Sequence, residues 1–282
     1  MFTKTHVPFN IESYDCPDDV KLSFYALTKS TKYTWNNNTV CFFYEYEDCD
    51  VMCNHIAALL EILKPTKPLI ADVILSPVKK YYPESKIFGP ENVNTGYSSN
   101  KIVVYRKEEW FKVFIHECFH FFNFEKNLLS KDLATRILNL FPVVSEVNLF
   151  ESYCEFMART INCKMISSYA KIPFLQLLKI EKNYSMCHMV NVLHHMGLTY
   201  TDILKKNSGF KEKTNVLAYV VLTNILMYND YSPDGIELLD GSAYVSFIEQ
   251  HYKDPAFIRR SNEIHPQVTT TMSILSIDDY TG

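Results

Sequence analysis

The chain has 282 residues, 47% hydrophobic and 21% charged, an ordinary globular balance with enough apolar material for one large domain or two closely packed lobes. Its 32 acidic residues against 28 basic ones, with a formal charge of -4 and a pI near 6.1, supply no broad basic field, so nucleic acid is not expected as the main partner. No run of eighteen apolar residues calls for membrane insertion, and Met1 to Pro8 lack the apolar core of a secretory signal.

The eight cysteines, Cys16, Cys41, Cys49, Cys53, Cys118, Cys154, Cys163 and Cys187, are therefore expected to be mainly reduced thiols, in an intracellular, cytoplasmic setting.

Residues 1 to 20 read as irregular, interrupted by Pro8 and Pro17 and by Asp15, Asp18 and Asp19. Leu22 to Leu27 can begin an element. The run Asn36, Asn37, Asn38 predicts a turn, and the branched and aromatic residues 39–44 predict a strand. Apolar residues at helical spacing predict a helix from Asp50 to Leu63, stopped ahead of Pro65. Cys49 and Cys53 with His55 imitate a metal site there, but no fourth ligand is apparent, and cysteine is commonly a small buried hydrophobe. The apolar run 69–75 suits a central strand, 79–90 a surface connection, and 92–98 with 101–105 a hairpin.

That hairpin leads into Trp110-Phe-Lys-Val-Phe-Ile-His-Glu-Cys-Phe-His-Phe-Phe-Asn-Phe124, an apolar stretch predicted to be a mostly buried helix with Glu108 and Glu109 near its positive end. On a helix, His116 and His120 stand one turn apart on one side and can both reach a single metal ion. Glu117, directly after the first histidine, can serve a metal-bound water as base. Cys118 faces away from the shared side and reads as packing.

Downstream, Ser130 is a plausible N-cap for a helix over 130–140 that Pro142 ends. Further helices are predicted from Ser145 or Val147 to Asn162, from Phe174 to Met196 with Gly197 as stop, and from Asn215 to Met227. A last one runs from Ile236 to Tyr252, interrupted or started at Gly241, before an irregular tail from His265. The fold class is thus α+β: an N-terminal α/β lobe, 1–127, with a small mixed sheet and the histidine helix, followed by a mainly helical lobe, 128–282, within one compact catalytic unit.

A zinc site generally takes at least three protein ligands, so two histidines need a partner. Glu151 is the best candidate; Glu146 is the alternative, and Asp132 or a later histidine is further behind. Glu155 shares the mostly apolar helix face of Glu151 four residues on, where it could hold His116 or His120 by the other ring nitrogen. Two imidazoles and a carboxylate favour Zn2+ over magnesium or calcium and leave a position open for water.

Residues 92 to 159 resemble the catalytic core of the zincin metallopeptidases, particularly the glutamate-zinc (gluzincin) group with thermolysin-like enzymes and zinc aminopeptidases. The resemblance implies a zincin-like fold, His116, His120 and Glu151 as zinc ligands, and Glu117 as general base. In the aminopeptidases the later helix opens with a glutamate, a small residue, an aromatic and a small residue, as Glu151-Ser-Tyr-Cys154 does; the aminopeptidase signature Gly-x-Met-x-Asn is absent. An antiparallel edge strand, to which substrate backbone adds, corresponds to Asn92 to Ser98. The run 106–116 is also similar to metallopeptidase-like proteins of large DNA viruses, which implies a possible virion association.

The expected activity is hydrolysis of a peptide or protein substrate by metal-activated water, with Tyr153, His194, His195, His251 and His265 as candidates for a second oxyanion donor. The competing expectation is a catalytically silent zincin-fold structural or interaction protein, such as an assembly component. Oligomeric state is not legible.

Overall fold

The computed structural model describes residues 2–8, 10, 13–233, 235–236, 240–267 and 269–280. They divide into two units, Met1–Lys79 with Asn94–Asn123 and Ser276–Gly282, and Lys80–Val93 with Phe124–Leu275. The strands are β1 (Thr3–Thr5), β2 (Lys29–Trp35), β3 (Asn38–Tyr44), β4 (Ile70–Ile74), β5 (Gly96–Ser98) and β6 (Ile102–Val104). The helices are α1 (Asp18–Ser23), α2 (Cys49–Leu63), α3 (Pro90–Val93), α4 (Trp110–Phe122), α5 (Lys131–Leu140), α6 (Leu149–Ala170), α7 (Phe174–His195), α8 (Thr223–Tyr228), α9 (Gly241–His251) and α10 (Pro255–Glu263). A mixed sheet followed by a helical region is the α+β, zincin-like order that the sequence predicts.

In the first unit the six strands form one sheet in the order β1-β2-β3-β4-β6-β5. Asn36 and Asn37 turn the chain between β2 and β3 in the left-handed region, at φ 44° and 65°, which asparagine tolerates better than most residues. The strands β3, β4 and β6 run parallel with largely apolar, buried central residues, as covered parallel strands require, and Asp72 in β4 is the charged exception. One edge is β5, antiparallel to β6, with Gly96 opposite Val104, and the other is β1. The expected strand 92–98 is thus shorter, because Asn92 and Val93 belong to the turn of α3.

Two further strands, β1 and β2, lie where the sequence predicts none. The residues of β1 are exposed and those of β2 are mostly half-buried, so main-chain pairing rather than an apolar face defines them. Asp72, buried in β4, accepts a hydrogen bond from the Tyr14 hydroxyl at 2.9 Å and forms an ion pair with Lys101, which pins the β5–β6 hairpin to the sheet interior.

In the second unit α6 packs against α7 and continues to Ala170, beyond the predicted end at Asn162, until Lys171 turns left-handed at φ 58°. The predicted helix 215–227 is interrupted by a π-helical segment, Leu217–Leu222, ahead of α8. There the Thr223 hydroxyl donates to the carbonyls of Ala218 at 3.0 Å and Ser152 at 3.2 Å, tying the widened turn to α6.

Helix α9 begins at Gly241, where a Cβ would lie 2.5 Å from the Asn127 carbonyl oxygen, so only glycine allows the approach. Positions 237–239 of the predicted helix from Ile236 lie outside the described residues. Asp254 caps α10, with Pro255 in its first turn; these are readable start signals for a helix not predicted from the sequence. No described helix is long and apolar enough to cross a membrane.

Candidate metal centre

Helix α4 packs on β5 and β6, and eleven of its thirteen residues are buried. Its ends are fixed by backbone geometry. Glu109 precedes it with φ 58° and Asn123 ends it with φ 58°, the Asn123 N–H bonding back to the carbonyls of Phe119 and His120. Glu109 stands at the positive end of the helix as expected, immediately before its first turn and 3.9 Å from Lys112, and both side chains are buried. At the same end the indole N–H of Trp110 donates to Asp278 at 2.9 Å; burial pushes the Asp278 carboxyl up from the usual range.

The helix brings the two motif imidazoles together. His116 is 5% exposed, His120 is half-buried, and their Nε2 atoms are 3.0 Å apart, with rings inclined at 66°. Two imidazole ligands on one tetrahedral zinc ion, with bonds of about 2.0–2.1 Å, would have donor atoms about 3.3 Å apart. A small opening of the pair therefore accommodates the ion, and the residues fit the metal that the motif implies.

Glu117 is 7% exposed and lies beside the sheet edge. A Cβ placed on Gly96, the first residue of β5, would lie 2.7 Å from the Val103 carbonyl oxygen, 3.1 Å from Val113 Cγ1 and 3.4 Å from Glu117 Cγ. The missing side chain at 96 is what lets the edge strand and the motif helix close up around Glu117. Burial raises the pKa of the adjacent Tyr105 phenol, and the Glu117 charge adds to that rise.

In the second unit Glu151 occupies the first turn of α6 and is half-buried. Asn215 Nδ2 donates to Glu151 Oε1 at 3.2 Å, and Asn215 Oδ1 accepts from Asn148 Nδ2 at 2.9 Å. Asn148 precedes α6 in the capping position without capping it, its amide being directed to Asn215. The sequence offers a faint signal for Asn148, a cap-type residue before a predicted helix, and none for Asn215, sixty-four residues beyond Glu151.

Glu155 is buried one turn farther on. Its Oε1 accepts from Arg159 Nε at 2.8 Å, and Arg159 Nη1 donates to the Ser185 hydroxyl at 2.6 Å. Glu146 is exposed in the loop before α6, and Asp132 lies in the first turn of α5.

Other candidates are occupied by packing. Cys49, Cys53 and His55 are buried in α2; burial raises both thiols and lowers the imidazole, whose ring lies 5.9 Å from Phe111. Cys118 is fully buried, with its thiol pKa pushed well up by burial and then by Glu117. The Tyr153 hydroxyl donates to the Ile236 carbonyl at 2.6 Å, and His195 Nε2 lies 2.9 Å from the Pro83 carbonyl oxygen.

No family model matches the chain, and no solved structure does. The chain is similar to uncharacterized protein R210 of Acanthamoeba polyphaga mimivirus, with 25% identity over 191 residues that cover 61% of this chain and 49% of that protein. It therefore spans about half the length of that relative.

Proposed function

We propose that the protein is a zinc-dependent peptidase of the glutamate-zinc type, with His116, His120 and Glu151 as the metal ligands and Glu117 as general base. The observation that carries this reading is the pair of imidazole nitrogens 3.0 Å apart on a buried helix, with the intervening glutamate against a sheet edge. Burying that much polar chemistry is costly unless it is satisfied, and a divalent ion satisfies both rings at once.

Bound zinc would supply Lewis acidity, making water a stronger acid and polarising the carbonyl to be attacked. Glu117 takes the water proton on its carboxylate and returns it to the departing amine. The backbone of β5 pairs with an extended substrate and sets the scissile carbonyl beside Glu117, and the absent Cβ at Gly96 leaves the Glu117 carboxyl room. Asn215 holds Glu151 in a fixed direction. Glu155, which accepts a hydrogen bond from Arg159, is assigned to orient an imidazole of the pair. The likeness to a mimivirus protein supports a viral setting.

Metal analysis of the purified protein beside H116A and E151A tests the ligand set. Stoichiometric zinc in the wild type and its loss from both folded variants is the expected result; full zinc in E151A removes Glu151 from the set. E117Q should keep zinc and lose peptide hydrolysis, and a clean E117Q preparation that still cleaves peptides would overturn the role of Glu117.

A further inference from the structure

A cavity of about 560 Å³ opens in the second unit between segments 144–148 and 212–215. We propose that it is a specificity pocket for a basic side chain of the peptide substrate, with Glu212 as counter-ion, an inference that rests on the peptidase reading above.

The pocket is built rather than incidental. Its walls are tied by parallel bridges, Val144 with Lys211 and Phe88 with Glu212, and by a hydrogen bond from the Lys213 N–H to the Phe88 carbonyl at 2.9 Å. The Glu212 carboxylate is fixed from both sides. The Ser145 hydroxyl donates to one oxygen, and the Leu217 N–H donates to the other at 2.8 Å.

Both donors are neutral, and among the described residues no cation pairs with Glu212. Burial pushes its carboxyl up to about 7, the response of a carboxylate whose charge is poorly compensated. Glu146 adds a second carboxylate at the exposed rim, against the single positive lining residue Lys213. An ammonium or guanidinium group entering the cavity meets the charge that Glu212 lacks and finds acceptors in Asn148 and Asn215. The pocket also adjoins the candidate ligand, since Asn215 in its wall donates to Glu151 at 3.2 Å. A side chain seated there belongs to a residue close to the scissile bond.

The test is calorimetric binding of alanine-based tetrapeptides, with one arginine moved through each position, to zinc-loaded full-length E117Q protein; matched citrulline peptides serve as neutral controls. At one position arginine should bind about tenfold tighter than citrulline, as expected for a charge-assisted pair. Adding Glu212→Gln should abolish that gap. Glu146→Gln, on an exposed position where folding is not at risk, should narrow it about threefold.

Equal binding of arginine and citrulline peptides, or a gap that survives Glu212→Gln, overturns the pocket. Hydrolysis is scored separately on the zinc-loaded wild type. Cleavage of peptides without an arginine preference leaves the peptidase reading standing alone, and a Glu212-dependent gap without cleavage leaves the pocket standing alone.

Discussion

Asn215 holds the Glu151 carboxylate from one side at 3.2 Å, while Asn148 holds Asn215 in turn at 2.9 Å. Such a chain spends two amide groups on the direction of a single carboxylate. Groups that orient a metal ligand are typically worth about 10–100-fold in metal affinity. N215A is therefore expected to retain its fold and bind zinc 10–100-fold more weakly, as read by competition with a chelator of known affinity. Unchanged affinity would mean that Asn215 does not orient Glu151 as a ligand.

Gly96 makes the second prediction. Gly96→Ala places a methyl group 2.7 Å from the Val103 carbonyl oxygen and 3.1 Å from Val113 Cγ1, so the edge strand has to shift against the motif helix that carries Glu117. Overpacking of this kind costs about 1–3 kcal/mol. The expected outcome is retained zinc and kcat/KM lowered by about tenfold or more, since small misplacements of reacting groups are that expensive. Wild-type kcat/KM in Gly96→Ala would show that the approach of strand to helix does not matter to catalysis.

Asp72 and Lys101 test the scaffold beneath that strand. Asp72 is largely buried and Lys101 about one-third exposed, so D72N leaves a partly solvated cation without its partner and weakens the contact with Tyr14. The expected loss is about 1–3 kcal/mol in chemical denaturation. A D72N protein as stable as the wild type would assign the fixing of the hairpin to main-chain pairing alone.

Glu212 gives stability a pH dependence of unusual sign. Its folded-state carboxyl is raised to about 7 from 4.5, so the protonated form is favoured on folding. That contribution is fully present below the unfolded value and is lost as pH rises through about 7. The melting temperature of the metal-free wild type should fall relative to E212Q between about pH 5 and pH 8, by a few degrees. A constant difference across that range would show that the carboxyl is not raised.

How much was legible in the sequence follows the range of the forces involved. The motif helix, the helix Cys49–Leu63 and the strands around 39–44, 69–75 and 101–105 carry their own periodicity or apolar density, and each appears near its predicted place. Strands β1 and β2 were hidden because their partners, not their side chains, define them. The π-helical turn was hidden as well, because the Thr223 hydroxyl contacts Ser152, far away in sequence.

At the site, a fixed spacing of four residues revealed His116 and His120. Asn148 and Asn215 act through a fold that brings distant residues together, so local patterns could not name Asn215. The three-residue edge strand was only partly visible, since the turn at Pro90–Val93 takes up the first two residues of the expected run.

Trp110 and Asp278, joined at the start of the motif helix, are 168 residues apart in the chain. During synthesis the histidines emerge long before the carboxylate that anchors the first turn of their helix. A nascent chain can thus hold both imidazoles without a settled helix end. The helix that carries both histidines is completed only by a side chain that joins the polypeptide 168 residues after its first turn.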